Sequence, residues 1–315
     1  MNIAILRVWS SYHRVRDCLS HSVARVRKEG AIARFRIVRK IPLRLAFLWA
    51  HARRSLGLYG KAYRLREQVA IANQRCLLPN ASLHYTWTAQ RRELLEFYAT
   101  WGQSPQLQSE IERCAELLGA RAQALVEAGK PLIFAPLHMT SDVVSVIVAS
   151  KATSLHTTVV VSSNASQWNE QARALGKVDV DYCSVESSSK EIGLNLATAC
   201  MDVAENKRDL VVFADMVPDY TFHNSETVQD KLSCHLFGRP AYLHSGLLRL
   251  AKVTKANILF FYLYYDRGLQ ISIFPGVEYR HASIMMPQII EQAITESPND
   301  WLLWHRHCLY FLNEG

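Results

Sequence analysis

His138 and Asp142 stand four positions apart in the stretch Gly-Lys-Pro-Leu-Ile-Phe-Ala-Pro-Leu-His-Met-Thr-Ser-Asp (129–142), and they are the residue types from which a general base is built. On a helix, side chains at i and i+4 share one face, so a carboxylate there can hold an imidazole in one tautomer. An imidazole held in this way takes the proton of a hydroxyl as that hydroxyl attacks an acyl group. The spacing alone is a weak signal, because about one such pair is expected by chance among 12 His and 28 acids in 315 residues, and His13 with Asp17 repeats it. Context separates the two pairs. His13 lies in a basic amphipathic segment with no strand ahead of it. His138 follows a short apolar run and precedes an apolar helical stretch, at the carboxyl end of a strand, where α/β sheets bind ligands. A satisfied structural histidine is the alternative reading of the same residues.

The elements that must position His138 follow from periodicity. Helices are expected over 64–78, 91–100 and 109–128, punctuated by Pro79 and Pro105. Apolar or β-branched runs predict strands at 131–136, Thr157 to Val161, Asp179 to Tyr182 and Leu210 to Ala214, the last ending at Asp215 on the same active edge. Between them, helices are expected over Trp168 to Leu175, carrying Arg173, and over Ser189 to Glu205. Ala256 to Tyr265 and Gln270 to Phe274, joined by Asp266-Arg267-Gly268, read as a hairpin. The alternation predicts an α/β fold, a mixed central sheet flanked by helices.

Charge is unevenly placed. Residues 1–67 hold 16 Lys and Arg against three acids, whereas the rest holds 20 against 25. Trp9, Tyr12, Leu19, Val23 and Val26 fall near one helical stripe among arginines, so residues 1–60 read as a basic amphipathic helical segment ahead of a catalytic domain over 61–315. Ile41 to Ala50 is apolar but too short to span a bilayer, which needs about 20 residues, and it is unlike a secretory signal. Cations beside Trp and aliphatic side chains suit an anionic membrane surface, each cation contributing about 1 kcal/mol. A helix packed on its own domain is the plainer alternative. A nucleic-acid partner is not expected, because no recognised module or stacking platform is present. Seven Cys without any Cys-x-x-Cys argue against a disulfide framework or a structural zinc site. His244, His305 and His307 lack acidic or thiol companions at ligand spacing, so no metal is expected.

Several stretches, in consistent order over about residues 60–310, resemble the lipid A biosynthesis acyltransferases of the lauroyl/myristoyl-transferase type, within the lysophospholipid acyltransferase-like superfamily. They are Ala70 to Pro79, the unit around His138, Asn169 to Gly176, the strand ending at Asp215, Leu236-Phe237-Gly238-Arg239-Pro240, and Glu296 to His307 with its Pro, Trp and His-Arg. Three residues separate His138 from Asp142 where the family pattern has four, and Thr140-Ser141 stand where many relatives carry Gly-Asn-Trp. The resemblance implies transfer of an acyl chain from acyl-carrier protein to a hydroxyl of a lipid acceptor, without a cofactor. The setting it implies is peripheral, on the cytoplasmic face of the cell inner membrane. By matching position, His138 is the base, Asp142 its acidic partner, and Arg173 and Asp215 polar residues around the acceptor and thioester. From the residues themselves, backbone amides after His138, Arg173 or Arg208 are candidate oxyanion donors. Arg239 could receive a headgroup phosphate or be a surface residue in a turn. A same-fold transferase of a non-fatty acyl group and a membrane-associated protein without catalysis are the alternative functions.

Overall fold

The computed structural model describes residues 40–58, 60–161, 180–184, 190–216 and 231–309. The expected N-terminal amphipathic helix, with Arg25 and Arg27, and the segment bearing Arg173 lie outside the described residues.

The chain from Leu43 to Gly315 forms one compact unit. It opens with helices α1 (Leu43–Ser55), α2 (Lys61–Leu77), α3 (Tyr85–Ala99) and α4 (Pro105–Glu127). Strand β1 (Leu132–Pro136), helix α5 (Asp142–Ala152), strands β2 (His156–Val161) and β3 (Val180–Ser184), helix α6 (Lys190–Ala204) and strand β4 (Arg208–Val212) follow. The remainder is β5 (Lys231–Leu236), β6 (Arg239–His244), α7 (Gly246–Thr254), β7 (Asn257–Tyr265), β8 (Leu269–Ile273), β9 (Val277–Glu278), α8 (Ala282–Glu296) and a terminal 3-10 helix, Leu302–Leu309. Leu43–Ser55, grouped by sequence with the N-terminal segment, packs on α3 through Phe47, whose ring meets Trp87 edge-on at 5.4 Å. By contact it belongs to the globular unit. No helix among the described residues is long and apolar enough to cross a membrane.

The central sheet is mixed, as expected. Its strand order is β3-β2-β4-β1-β7-β8, with β9 also paired to β7. β3, β2, β4, β1 and β7 run parallel. β8 and β9 pair antiparallel with β7, so the Asp266-Arg267-Gly268 turn closes a true hairpin. Alternate residues of each strand feed two separate apolar layers. Ile133, Ala135, Leu210, Ile258 and Phe260 pack with α2, α7 and α8, while Leu132, Phe134, Val211, Leu259 and Phe261 pack with α4 and α5. Every residue of β1 is buried, which is why it reads as an uninterrupted apolar run.

Helix α5 is rich in valine, a poor helix former, yet it holds because almost its whole surface is buried. Its start is set by Ser141, whose Oγ accepts the Val144 N–H at 3.2 Å. Gly119 of α4 lets α5 approach closely, since a Cβ there would lie 2.2 Å from the Ala152 carbonyl oxygen. Beyond the sequence expectations are α7, β9, α8, the terminal 3-10 helix and the β5–β6 hairpin. Its Phe237-Gly238 turn has positive φ at both residues, 53° and 72°, the pattern of a tight two-residue hairpin. α8 contains Pro287 and is carried by burial of Met286, Ile289, Ile290 and Ala293.

One buried carboxylate far from His138 yields a test of stability. Asp209, in β4, is 4% exposed and accepts a hydrogen bond from the Thr153 hydroxyl. Burial pushes its carboxyl up from 3.8 to about 6, with the Thr153 bond opposing the rise. A raised carboxyl pKa means that folding takes up a proton, so its contribution is most favourable below about pH 4 and is lost as pH rises through about 6. At 1.36 kcal/mol per unit the neutral-pH cost is about 3 kcal/mol. Asp209→Asn, which keeps an acceptor for Thr153, is therefore expected to raise the thermal midpoint at pH 7.5 and to change it little at pH 4. Equal shifts at both values would refute the assignment.

Candidate active site

β1 and β4 are neighbours, with Phe134 opposite Val211. Counting four residues onward along each parallel strand brings His138 opposite Asp215 at the carboxyl edge of the sheet. The two meet: the His138 Nδ1–H donates to Asp215 Oδ1 at 2.7 Å, and the His138 backbone N–H lies 3.0 and 3.1 Å from the two carboxylate oxygens. Asp215 is fully buried and also accepts the Trp301 indole N–H at 2.9 Å. A carboxylate with several donors in place stays where it is and fixes the imidazole tautomer, leaving Nε2 as the free acceptor. The ring is packed against Phe213 at 4.4 Å between centroids.

This corrects the pairing expected from spacing. Asp142 is not the hydrogen-bond partner of His138, because the chain between them is not helical. Met139 pairs in an antiparallel bridge with Trp301, Thr140 takes φ of 60°, and the helix begins only at Asp142. Asp142 instead pairs with Arg92 Nη2 at 3.1 Å. Asp215 is likewise corrected from a substrate contact to a buried orienting group, since a fully covered carboxylate cannot touch substrate. Arg208 begins β4, at the opposite edge of the sheet from His138, where it binds Asp181, Asp202 and Thr158, so it is not at the site. Arg239 opens β6 beside the hairpin turn, exposed, and does not line the cavity at His138.

The loop after His138 is pinned by the C-terminal segment. Thr140 donates from its backbone to the Asp300 carbonyl and from its hydroxyl to Asp300 Oδ1, both at 2.7 Å, while the Leu302 N–H donates to the His138 carbonyl at 2.8 Å. Asp300 Oδ1 also takes the Arg91 guanidinium at 2.6 Å. These bonds hold a β-branched residue in a left-handed backbone that costs on the order of 1–3 kcal/mol when unsupported. The amides proposed as oxyanion donors are all taken, the N–H of His138 by Asp215, of Met139 by the Leu137 carbonyl, of Thr140 by the Asp300 carbonyl and of Ser141 by the Met139 carbonyl.

His138 opens on a cavity of about 520 Å³, within the size range of small-molecule sites. Its walls include Arg66, Tyr85, Arg92, Glu96, Asp142 and Arg306. Arg92 joins two acids, Asp142 and Glu96, and the Glu96 carboxylate also accepts from the Ser141 hydroxyl at 3.1 Å. Burial pushes Glu96 up while the Arg92 guanidinium pulls it down, and burial prevails. For His138, burial works against the charged form, but Asp215 and then Asp142 outweigh it and the imidazole is held above its ordinary value. Asp142 has one oxygen paired with Arg92 and the other, Oδ1, buried without a donor among the described residues. A mostly apolar cavity of about 300 Å³ adjoins, lined by Val160, Leu196, Val212, Phe213, Leu247 and Leu250 with His244 and Arg249 also in its wall, and Met216 lies in the wall of both.

Trp301 and the Arg92–Glu96 pair were absent from the sequence-derived site. Trp301 lay within the closing Pro, Trp, His-Arg block, whereas Arg92 and Glu96 at i,i+4 look like any surface helix pair. No group of three or more His, Cys, Asp or Glu placed to hold a metal occurs among the described residues. No family model matches this chain, and no curated protein matches it.

Proposed function

We propose that the protein is an acyltransferase in which His138 removes the proton of a lipid hydroxyl as that oxygen attacks the thioester of an acyl-carrier protein. The single observation that carries this reading is the His138–Asp215 pair, with Nδ1 bound to a buried carboxylate and Nε2 facing a cavity. Nε2 takes the hydroxyl proton, the oxygen adds to the carbonyl carbon, the carbon–sulfur bond breaks, and the imidazolium returns its proton to the leaving thiolate. Asp215 stabilises that imidazolium without being protonated. Arg92, charged and lining the cavity, is the donor assigned to the tetrahedral oxyanion. The adjoining apolar cavity suits a hydrocarbon chain, which favours a fatty over a polar acyl group.

The test is incubation of purified protein with acyl-carrier thioesters of graded chain length and extracted inner-membrane lipids, following thiol release and acylated lipid by mass spectrometry. Turnover is expected, and Leu250→Trp, which fills the apolar cavity, is expected to shift preference to shorter chains by at least tenfold in kcat/KM. Thioester loss with a non-fatty donor alone would favour the other transferase reading, and no turnover with any donor would end the catalytic one.

A further inference from the structure

Tyr85 opens helix α3 with its ring buried, and its hydroxyl reaches the terminal 3-10 helix, where Oη lies 2.7 Å from His305 Nδ1. The other partners of the imidazole settle the direction of that hydrogen bond. Arg306 Nε stands 3.1 Å from His305 Nε2, and a guanidinium N–H can only donate, so Nε2 must present its lone pair. The one proton of the ring is then on Nδ1. The Leu302 carbonyl, which can only accept, stands 3.2 Å from that same nitrogen and agrees. Burial first, then Arg66 and Arg92, hold His305 below the ordinary histidine value against the pull of the Leu302 carbonyl, which keeps the ring neutral. Nδ1–H therefore donates to the Tyr85 oxygen, and the phenol must turn its own proton away from His305. No acceptor among the described residues takes that proton, and Tyr85 lines the same cavity as His138.

The surroundings favour negative charge at this point. Burial holds the Tyr85 phenol above its ordinary value although Arg66, Arg92 and Arg306 all oppose the rise, so it keeps its proton at neutral pH among three guanidinium groups. The backbone amides after His138 are already taken, which leaves side chains to supply the donors. We infer that the Tyr85 hydroxyl is a catalytic donor to the substrate oxyanion alongside Arg92, with His305 and Arg306 as positioning residues that aim it. This rests on the acyl transfer proposed above. As the lipid oxygen adds to the thioester carbon, the carbonyl electron pair moves onto oxygen and the hydrogen bond from Tyr85 strengthens. When the carbon–sulfur bond breaks, the pair returns to the carbonyl and the hydrogen bond weakens; the phenol proton never transfers. The C-terminal segment that carries the aim is itself anchored, because the Asn73 amide donates to the Trp304 carbonyl at 2.7 Å and the Thr88 hydroxyl to the Asn299 carbonyl at 2.6 Å. A donor held in place before the reaction needs no reorganisation during it.

Tyr85→Phe keeps the ring, and His305 Nδ1–H keeps the Leu302 carbonyl, so the circular dichroism spectrum should not change. Its kcat for acyl transfer should fall by about 10²–10³-fold with KM little altered, the loss expected for one oxyanion donor. Octylphosphonate, whose tetrahedral anionic head stands in for the intermediate, should bind the wild type and bind Tyr85→Phe about tenfold or more weakly by calorimetry. His305→Ala should lower kcat by about tenfold, and His305→Asn, whose amide N–H replaces Nδ1–H, should restore most of it. In nitrogen NMR of the full chain, the His305 signals, identified by their loss in His305→Asn, should show the proton on Nδ1. A proton on Nε2, no phosphonate binding by the wild type, or a Tyr85→Phe protein with unchanged phosphonate affinity or unchanged kcat would overturn the proposal. Weakened phosphonate binding in Tyr85→Phe, in a protein that turns over no thioester, would sink the acyl-transfer reading and still support Tyr85 as an anion donor in this cavity.

Discussion

Replacing Asp215 by Asn is expected to lower kcat by about 10³–10⁴-fold, the size of loss known when the orienting carboxylate of a catalytic triad becomes an amide. The amide is nearly isosteric, so the loss does not come from packing. Its NH₂ would face Nδ1, force that nitrogen to accept, and leave the proton on Nε2, where it would be offered to the acceptor hydroxyl instead of receiving from it. Asp142→Asn, by contrast, keeps the tautomer and removes only a second charge, so a decrease of at most about tenfold is expected. The pH profile separates the two roles. His138 is held above the ordinary histidine value, so activity should rise with pH through a midpoint above that value, and in Asp215→Asn that midpoint should fall. Parallel rate measurements on both variants decide the matter. A larger effect at Asp142 than at Asp215 would return the acidic role to the residue four positions from His138.

Asp300→Ala is expected to cost about 3–5 kcal/mol of stability, measured by thermal or denaturant unfolding. One oxygen of Asp300 receives the Arg91 guanidinium, the Thr140 hydroxyl and, at 3.2 Å, the Tyr265 N–H. Arg91 is 5% exposed and its Nε already lacks a partner, so removing the carboxylate strands a buried cation. Burial lowers the Arg91 pKa while Asp300 opposes the drop, and the loss of that opposition is what unfolding relieves. Replacing both partners by apolar residues, Arg91→Met with Asp300→Leu, should recover much of the loss, because neither charge is then left alone. The double variant should nevertheless turn over slowly, since Thr140 would lose an anchor that sets the loop after His138. A double variant as unstable as Asp300→Ala would show that the network acts through backbone contacts alone.

Much of the fold was present as local pattern. The buried strands announce themselves as apolar runs, the β7–β8 hairpin by Asp266-Arg267-Gly268, and α4 by its three and four spacing. The β5–β6 hairpin and α8 were less visible. The first is a short pair whose residues are mostly half-buried or exposed, so it carries no apolar run, and the second contains a proline that its tertiary contacts override.

His138 was legible as the candidate base because its position, at the end of a strand that local hydrophobicity defines, depends only on nearby residues. The acid that serves it was not. Helical periodicity makes Asp142 a partner only if residues 138–142 are helical, and whether they are depends on Trp301 and Asp300, more than 150 residues away in sequence. Asp215 becomes the partner because β4 lies beside β1 in parallel register, although β2 and β3 come between them in the chain. Strand order is settled by how whole faces of the sheet find their helices. No single stretch carries that information, so the sequence picked out His138 and the sheet edge where it stands, and tertiary packing chose the carboxylate that binds it.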